Sequence, residues 1–177
     1  MKKFIETIKN IFKIEDLRKR IIYTLAILLV YRAGSFVVIP GIDPSQLANL
    51  KSQTSEGLLG LLNMFSGGAF GNASIFALGV MPYISASIVI QLLTMMVPYF
   101  QRLQREGESG QRKMNQYTRY LTIAILALQG PAYIANLYHQ LPPQAFIVSG
   151  VFFTIMTTII LMAGTMFIMW LGERITD

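Results

Sequence analysis

Few side chains in this chain are of the kind that carry out covalent chemistry. There is no cysteine and only one histidine, His139. Residues 107–110 read G-E-S-G, which resembles the serine motif of intramembrane rhomboid proteases, but a serine nucleophile needs a base within hydrogen-bond reach. The charge distribution described below puts Ser109 and His139 on opposite sides of a membrane. We therefore predict no catalytic residue, no metal site and no cofactor.

The polar residues within the apolar stretches are mostly neutral. They are Asn63, Ser85, Ser87, Gln91 and Gln129. Amides and hydroxyls on facing helices can hold a membrane bundle together, at well under about 2 kcal/mol for each contact. Such weak contacts would also suit a seam between helices that opens sideways. The residues alone leave both interpretations open.

One charge, Arg32, falls inside an apolar stretch. An ionised side chain at such a position usually faces the bundle interior or water. Arg32 is also only roughly 10 Å from the outer end of its stretch if the stretch is helical. Its long side chain could therefore simply reach the membrane surface, and the sequence does not decide between these environments.

The composition is that of an integral membrane protein. Hydrophobic residues make up 53 % and charged residues 14 %, with a mean hydropathy of +0.50, whereas soluble proteins carry about 25 % charged residues. We predict an all-α polytopic fold with four transmembrane helices. The predicted spans are residues 21–39, 73–98, 120–137 and 145–171. Pro82 should kink the second span, and Gly130-Pro131 should break the third.

Two further segments have a different character. Residues 57–71 are apolar but too short to span a membrane, and glycine-rich at their end, which is typical of a re-entrant piece. Residues 1–20 carry seven Lys and Arg side chains together with apolar residues spaced roughly as on one helical face. They form either an amphipathic helix on an anionic membrane surface or an ordinary cytoplasmic flank. The membrane bundle is then residues 21–177.

The distribution of cations predicts the orientation. Seven of the fifteen Lys and Arg residues precede the first span, five lie between the second and third spans, and Arg174 follows the fourth. The outer loops carry only Lys51. The positive-inside rule therefore places both ends of this chain in the cytoplasm.

Six stretches, taken together, resemble the N-terminal part of the SecY family, the channel-forming subunits of the Sec protein translocase. They are Y-R-A-G-S-F with I-P-G-I-D (31–43), N-M-F-S-G-G-A (63–69), A-S-I-F-A-L-G-V-M-P-Y-I-S-A-S-I-V-I-Q-L-L (73–93), E-G-E-S-G-Q-R-K (106–113), Q-Y-T-R-Y (116–120) and G-T-M-F-I-M-W-L-G-E-R-I-T (164–176). They occur in the family's order over most of the chain. The resemblance implies a ten-helix channel, of which this chain would supply helices one to four.

The resemblance also implies roles for individual residues. Residues 58–70 would be the plug that closes the resting pore. Its named members are Leu58, Leu59, Leu61, Leu62, Asn63, Met64, Phe65, Ser66, Gly67, Gly68 and Phe70. Val80 and Ile84 would belong to the apolar ring at the pore constriction, and Ser85, Gln91 and Gln129 would line the lateral gate.

Function and partners follow from the same resemblance. The channel would pass unfolded polypeptides across the bacterial cytoplasmic (inner) membrane and release hydrophobic segments into the lipid bilayer. It would hydrolyse nothing itself and would work with SecE and SecG, the SecA motor or the ribosome, signal sequences, nascent polypeptides and the remaining SecY helices. The alternative from the residues alone is half of a secondary transporter, in which broken helices bind substrate at the midplane. The resemblance favours the channel.

Overall fold

A computed structural model describes residues 14–47, 57–148 and 150–176, and in these residues it contains helices and turns but no strand. Most of the predicted N-terminal amphipathic segment, residues 1–13, lies outside this part of the chain, as does Lys51. The α-helices are α1 (Glu15–Gly34), α2 (Gly57–Phe65), α3 (Met81–Met96), α4 (Pro98–Arg105), α5 (Glu108–Gln140) and α6 (Val151–Thr176). Short 3-10 turns occupy Pro44–Gln46 and Pro143–Ala145.

Two of the described helices, α5 and α6, are long and apolar enough to cross a membrane. Helices α3 and α4 meet the same criterion only as a pair, and they are bent by 99° relative to each other. The all-helical class is therefore confirmed, with two or three candidate spans by length and composition in the described residues.

The bend in the second apolar stretch does not lie where the sequence predicted it. Pro82 is in the first turn of α3 and causes no kink, because the first residues of a helix have no intrahelical partner for their N–H groups. The turn between α3 and α4 lies instead at Val97, which is extended (φ −107°, ψ 119°). Pro98 follows it, and a proline disfavours helical geometry in the residue before it.

The predicted break at Gly130-Pro131 was also wrong. Helix α5 continues through Pro131 to Gln140 and begins at Glu108, within the basic stretch. A single proline removes one backbone hydrogen bond, and membrane helices tolerate this where neighbouring helices support them. Gly130 is buried against Thr158 of α6, so this region of α5 is held by its neighbour.

The bundle is organised around α5, which packs against α3, α4 and α6, while α1 packs against α6. Helices α5 and α6 are antiparallel: the rings of Tyr138 and Phe153 meet at one end, with centroids 6.2 Å apart, and Arg119 pairs with Glu173 at the other. In the main core, residues of the irregular connections pack against these two helices. Its fully buried members include Ile39, Ala73, Ala145, Ile134 and Leu161.

Candidate functional site

A cavity of about 270 Å³ lies between the short segment after α1 and the helices α3 and α5. Three parts of the chain line it. The lining residues are Leu59, Leu62 and Phe70 from segment 58–70, then Ala77, Leu78, Met81 and Ser85, and finally Gln129, Ala132, Tyr133 and Asn136 of α5. The walls are mostly apolar, with a few amide and hydroxyl groups. Such a surface can contact a passing apolar group without a fixed polar partner.

Segment 58–70 folds as a short helix followed by turns. Helix α2 ends at Phe65, and Gly67 and Gly68 have φ values of +61° and +88°, which glycine adopts at little cost. Two side chains of the segment bind its own backbone: the Asn63 Oδ1 accepts from the Gly71 N–H at 2.8 Å, and the Ser66 Oγ accepts from the Phe70 N–H at 3.0 Å. These bonds make the segment a compact unit. The side chain of Leu58 lies outside the described part of the structure.

Helix α1 binds this unit through two consecutive side chains. The Tyr31 hydroxyl donates to the Ser66 carbonyl at 2.7 Å, and the Arg32 Nη1 donates to the Gly67 carbonyl, also at 2.7 Å. Arg32 additionally lies over the Phe36 ring, 5.1 Å from its centroid. The partner of Arg32 is therefore a backbone carbonyl, a contact that neither environment considered from the sequence specified.

Helix α5 binds the other end of the unit. The buried Tyr133 hydroxyl donates to the Phe70 carbonyl at 3.1 Å, and the two rings meet edge to face with centroids 5.0 Å apart. Phe70 itself is 7 % exposed and belongs to the main core. The segment is thus held by the core at Leu59, Leu62 and Phe70, and by α1 at Ser66 and Gly67.

Two of the three predicted gate residues come together at the cavity. Ser85 and Gln129 both line it, from α3 and α5 respectively. The Ser85 hydroxyl donates to the Met81 carbonyl, one turn earlier in its own helix, at 3.1 Å. Gln91 is not part of this lining and is exposed on α3.

Val80 and Ile84 lie one turn apart at the start of α3, where the Ile84 N–H donates to the Val80 carbonyl at 3.0 Å. Their side chains are 37 % and 43 % exposed. The buried positions of α3 are Pro82, Ala86, Ile90 and Thr94. The first two follow Val80 and Ile84 by two residues each and therefore lie roughly 200° around the helix from them. Val80 and Ile84 accordingly lie on the face of α3 that the described chain leaves uncovered.

Val80 also lines a second cavity, of about 500 Å³, at the other end of α3 from α4. Its polar wall includes Tyr83, Asn115 and the pair Arg119–Glu173, in which the guanidinium Nη2 contacts both carboxylate oxygens at 2.7 and 2.6 Å. The two cavities lie on either side of the N-terminal end of α3. Met81 lines one and Val80 the other.

Sequence reasoning missed Tyr31 and Tyr133. Both are tyrosines within apolar helices, and a buried tyrosine hydroxyl usually finds a hydrogen-bond partner. That rule signals that each hydroxyl has an acceptor, but the acceptors lie 35 and 63 residues away in sequence. Only the tertiary structure identifies both as carbonyls of the same segment.

The fold and this site define a polytopic membrane protein with a short helix folded onto its bundle, and sequence comparison gives the family. The SecY family profile matches residues 74–177. The chain is 47 % identical over 175 residues to the protein translocase subunit SecY of Streptomyces scabiei, an alignment covering 94 % of this chain and 40 % of that relative. The chain belongs to the SecY family.

Relatives from other bacteria agree. The protein translocase subunit SecY of Vibrio cholerae is 48 % identical over 164 residues, covering 93 % of this chain and 37 % of the relative. The protein translocase subunit SecY of Escherichia coli K12 is 46 % identical over 163 residues, covering 92 % of this chain and 37 % of the relative. The chain therefore spans about two fifths of the length of these relatives.

Proposed function

We propose that this chain forms the N-terminal part of a protein-conducting channel, which passes unfolded polypeptides across the cytoplasmic membrane and releases hydrophobic segments into the bilayer. Family membership supports this function, because the relatives are named as translocase subunits. The observation that carries it is the cavity at which segment 58–70 meets Ser85 and Gln129. The proposed plug and two of the proposed gate residues thus line the same mostly apolar cavity.

In this proposal segment 58–70 is the plug, seated on the bundle in the closed state. Leu59, Leu62 and Phe70 turn toward the cavity, while Met64 and Phe65 are 80 % and 68 % exposed. The described chain leaves that second face of the plug uncovered. It is available to the helices that complete the pore.

Val80 and Ile84 are proposed to contribute to the pore constriction. They lie on the uncovered face of α3, next to the N-terminal end where the two cavities approach each other. A ring of apolar side chains seals a pore by excluding water, while adapting to the chain in transit. Gln91, on the exposed surface of α3, would face a gate helix from the rest of the channel.

The proposed orientation places both ends of the chain in the cytoplasm, with four spans. The Arg119–Glu173 contact supports this, because it puts the basic N-terminal part of α5 beside the end of α6. The proposed partners are SecE, SecG, signal sequences, nascent chains and either the SecA motor or the ribosome. The remaining helices of the channel would complete the pore.

The test of the channel proposal is photo-cross-linking in a complete translocation complex. A photoreactive amino acid at position 80 or 84 should capture a polypeptide stalled in transit. The same probe at the buried Ile90 on the opposite side of α3 should capture only neighbouring helices. If positions 80 and 84 also yield only helix or lipid adducts, these residues are packing residues and the constriction is elsewhere.

Orientation has a separate test, which the absence of cysteine makes simple. A membrane-impermeant thiol reagent added from outside should label Gln144→Cys, at an exposed position between α5 and α6, and leave Lys113→Cys unlabelled. The reverse pattern would contradict the proposed topology. The transporter alternative is not favoured by the comparisons, since the relatives are named as translocase subunits.

A further inference from the structure

We infer that Tyr31 and Arg32 form a latch that positions the plug, and that breaking its two hydrogen bonds is an early step in opening. The inference rests on the proposed function, since it assigns a task to segment 58–70. Its geometric basis is the pair of 2.7 Å contacts from consecutive α1 side chains to the consecutive carbonyls of Ser66 and Gly67. We call these two side chains and two carbonyls the latch.

The latch carbonyls lie just beyond the C-terminal end of α2, since Ser66 and Gly67 directly follow its last residue. The Ser66 carbonyl also accepts from the Ala69 N–H at 3.2 Å, so the Tyr31 hydroxyl is its second donor, whereas Arg32 is the donor to the Gly67 carbonyl. The helix dipole also places partial negative charge at this end, which favours a cation such as the Arg32 guanidinium. Tyr31 and Arg32 therefore bind, from another helix, the turn that follows the C-terminal end of α2.

The donors are held by a rigid support. The Tyr31 ring stacks on Phe76, with centroids 5.8 Å apart and planes within 2°, and Phe76 stacks in turn on Phe167 of α6 at 6.0 Å. Phe76 is buried. The Tyr31 hydroxyl is thus aimed by an aromatic stack that joins α1, the turns before α3, and α6, none of which belongs to the plug.

The hydrogen bonds made by the plug's own side chains do not involve the latch. The Asn63 side chain accepts from the Gly71 N–H, and the Ser66 hydroxyl donates to the Asn63 carbonyl and accepts from the Phe70 N–H, so these bonds tie α2 to residues 70–71 independently of the latch. Phe70 remains in the core, bound by Tyr133. Release of the latch is therefore expected to loosen the turn at residues 66–69, where the two bonds are lost, and to move the Phe70 ring least.

The latch is tested by the labelling rate of Ala69→Cys, because Ala69 is fully buried and its thiol reacts only when the plug moves. In membranes containing the complete protein, a membrane-permeable maleimide should label Ala69→Cys roughly 3- to 10-fold faster when Tyr31→Phe removes one neutral hydrogen bond. Arg32→Gln, which removes a charged donor, should increase the rate by roughly tenfold or more. Arg32→Lys should restore part of the protection.

Matched controls lie on the same helix. Tyr23→Phe, two turns earlier, and Arg20→Gln, at the start of α1, make the same chemical changes away from the latch. Labelling rates no faster than in these controls would overturn the inference. So would an increase in resting ion conductance by Tyr31→Phe that persists after deletion of residues 58–67, because the effect would then not pass through the plug.

The labelling experiment separates the latch from the channel proposal. Faster labelling of Ala69→Cys in the latch variants requires no translocation, so it supports the latch even if Val80 and Ile84 never contact a substrate. If cross-linking succeeds but labelling is unchanged, the channel proposal stands and the latch fails.

Discussion

Residues 57–80 and the helix α6 up to Leu171 are both apolar and uncharged, yet they fold in different ways. In α6 the backbone hydrogen bonds run within one helix from Val151 to Thr176. In 57–80 the helix stops at Phe65, and left-handed backbone recurs at Gly67, Gly68 and Gly79. Backbone turns satisfy many carbonyls of this region, and those of Ser66, Gly67 and Phe70 accept from side chains of α1 and α5.

This difference bears on the proposal that segment 58–70 moves. A span such as α6 has to break many helical bonds to change shape, and there is no water in the membrane core to replace them. Segment 58–70 is held by a short helix, by turns and by a few side-chain contacts with α1 and α5, so its movement does not require breaking the hydrogen bonds of a long helix. Stability that is divided among a few external contacts is suited to a closing element.

The largest effect is expected from removing most of the proposed plug. Deleting residues 58–67 in the complete protein should leave it inserted, because Phe70 and the core around it remain, but should make the membrane leak ions. Single-channel recording in planar bilayers measures this. If conductance stays at background, segment 58–70 does not close the pore. The structural difference between residues 57–80 and α6 would then not be related to gating.

The next effect concerns Val80 and Ile84, which lie on the uncovered face of α3 where the segment 57–80 ends. Val80→Asp or Ile84→Lys should hydrate the constriction, raise resting conductance and let secretion of substrates with weakened signal sequences proceed, because closure then excludes water less well. Ile90→Asp is the matched control. Ile90 is 5 % exposed, so a charge there should lower the amount of folded protein without a selective change in gating. Equal behaviour of the three variants would contradict the division between pore face and packing face.

A smaller effect is expected from a substitution in α6, where that helix packs against residues 75–76. The ideal Cβ position at Gly164 of α6 overlaps the Ile75 carbonyl and lies 3.2 Å from a Phe76 ring carbon. Gly164→Ala should therefore reduce stability by about 1–3 kcal/mol, as overpacking does. Gly172→Ala is its control in the same helix, since a Cβ there meets open space. Thermal unfolding in detergent compares them, and similar midpoints would show that the two regions are less tightly packed than described.

The smallest effect is expected for the Arg119–Glu173 pair. Its side chains are 45 % and 34 % exposed, and partly exposed ion pairs contribute about 0–1 kcal/mol. A double-mutant cycle with Arg119→Gln and Glu173→Gln should give a coupling energy within this range. A coupling energy of several kcal/mol would indicate that the pair is shielded from water in the complete protein. The second cavity would then hold less water than the exposure of the pair in the described residues implies.

Several properties of this protein followed from the sequence by itself. Composition determined the class, the six stretches led to the SecY family, and the short apolar run after residue 57 predicted a helix too short to span. These predictions from the sequence were possible because hydrophobicity, segment length and glycine content can be read from residues that are neighbours in the chain.

Only the tertiary structure decided where the second apolar stretch becomes helical, that Pro131 leaves α5 continuous, and that Ser85 and Gln129 share a cavity while Gln91 does not. It also decided the partners of Tyr31, Arg32 and Tyr133. The physical reason is that a polar group in an apolar setting must find some partner, but the sequence does not specify which. The partners here are backbone carbonyls tens of residues away, and packing of the intervening helices determines which of them come within reach.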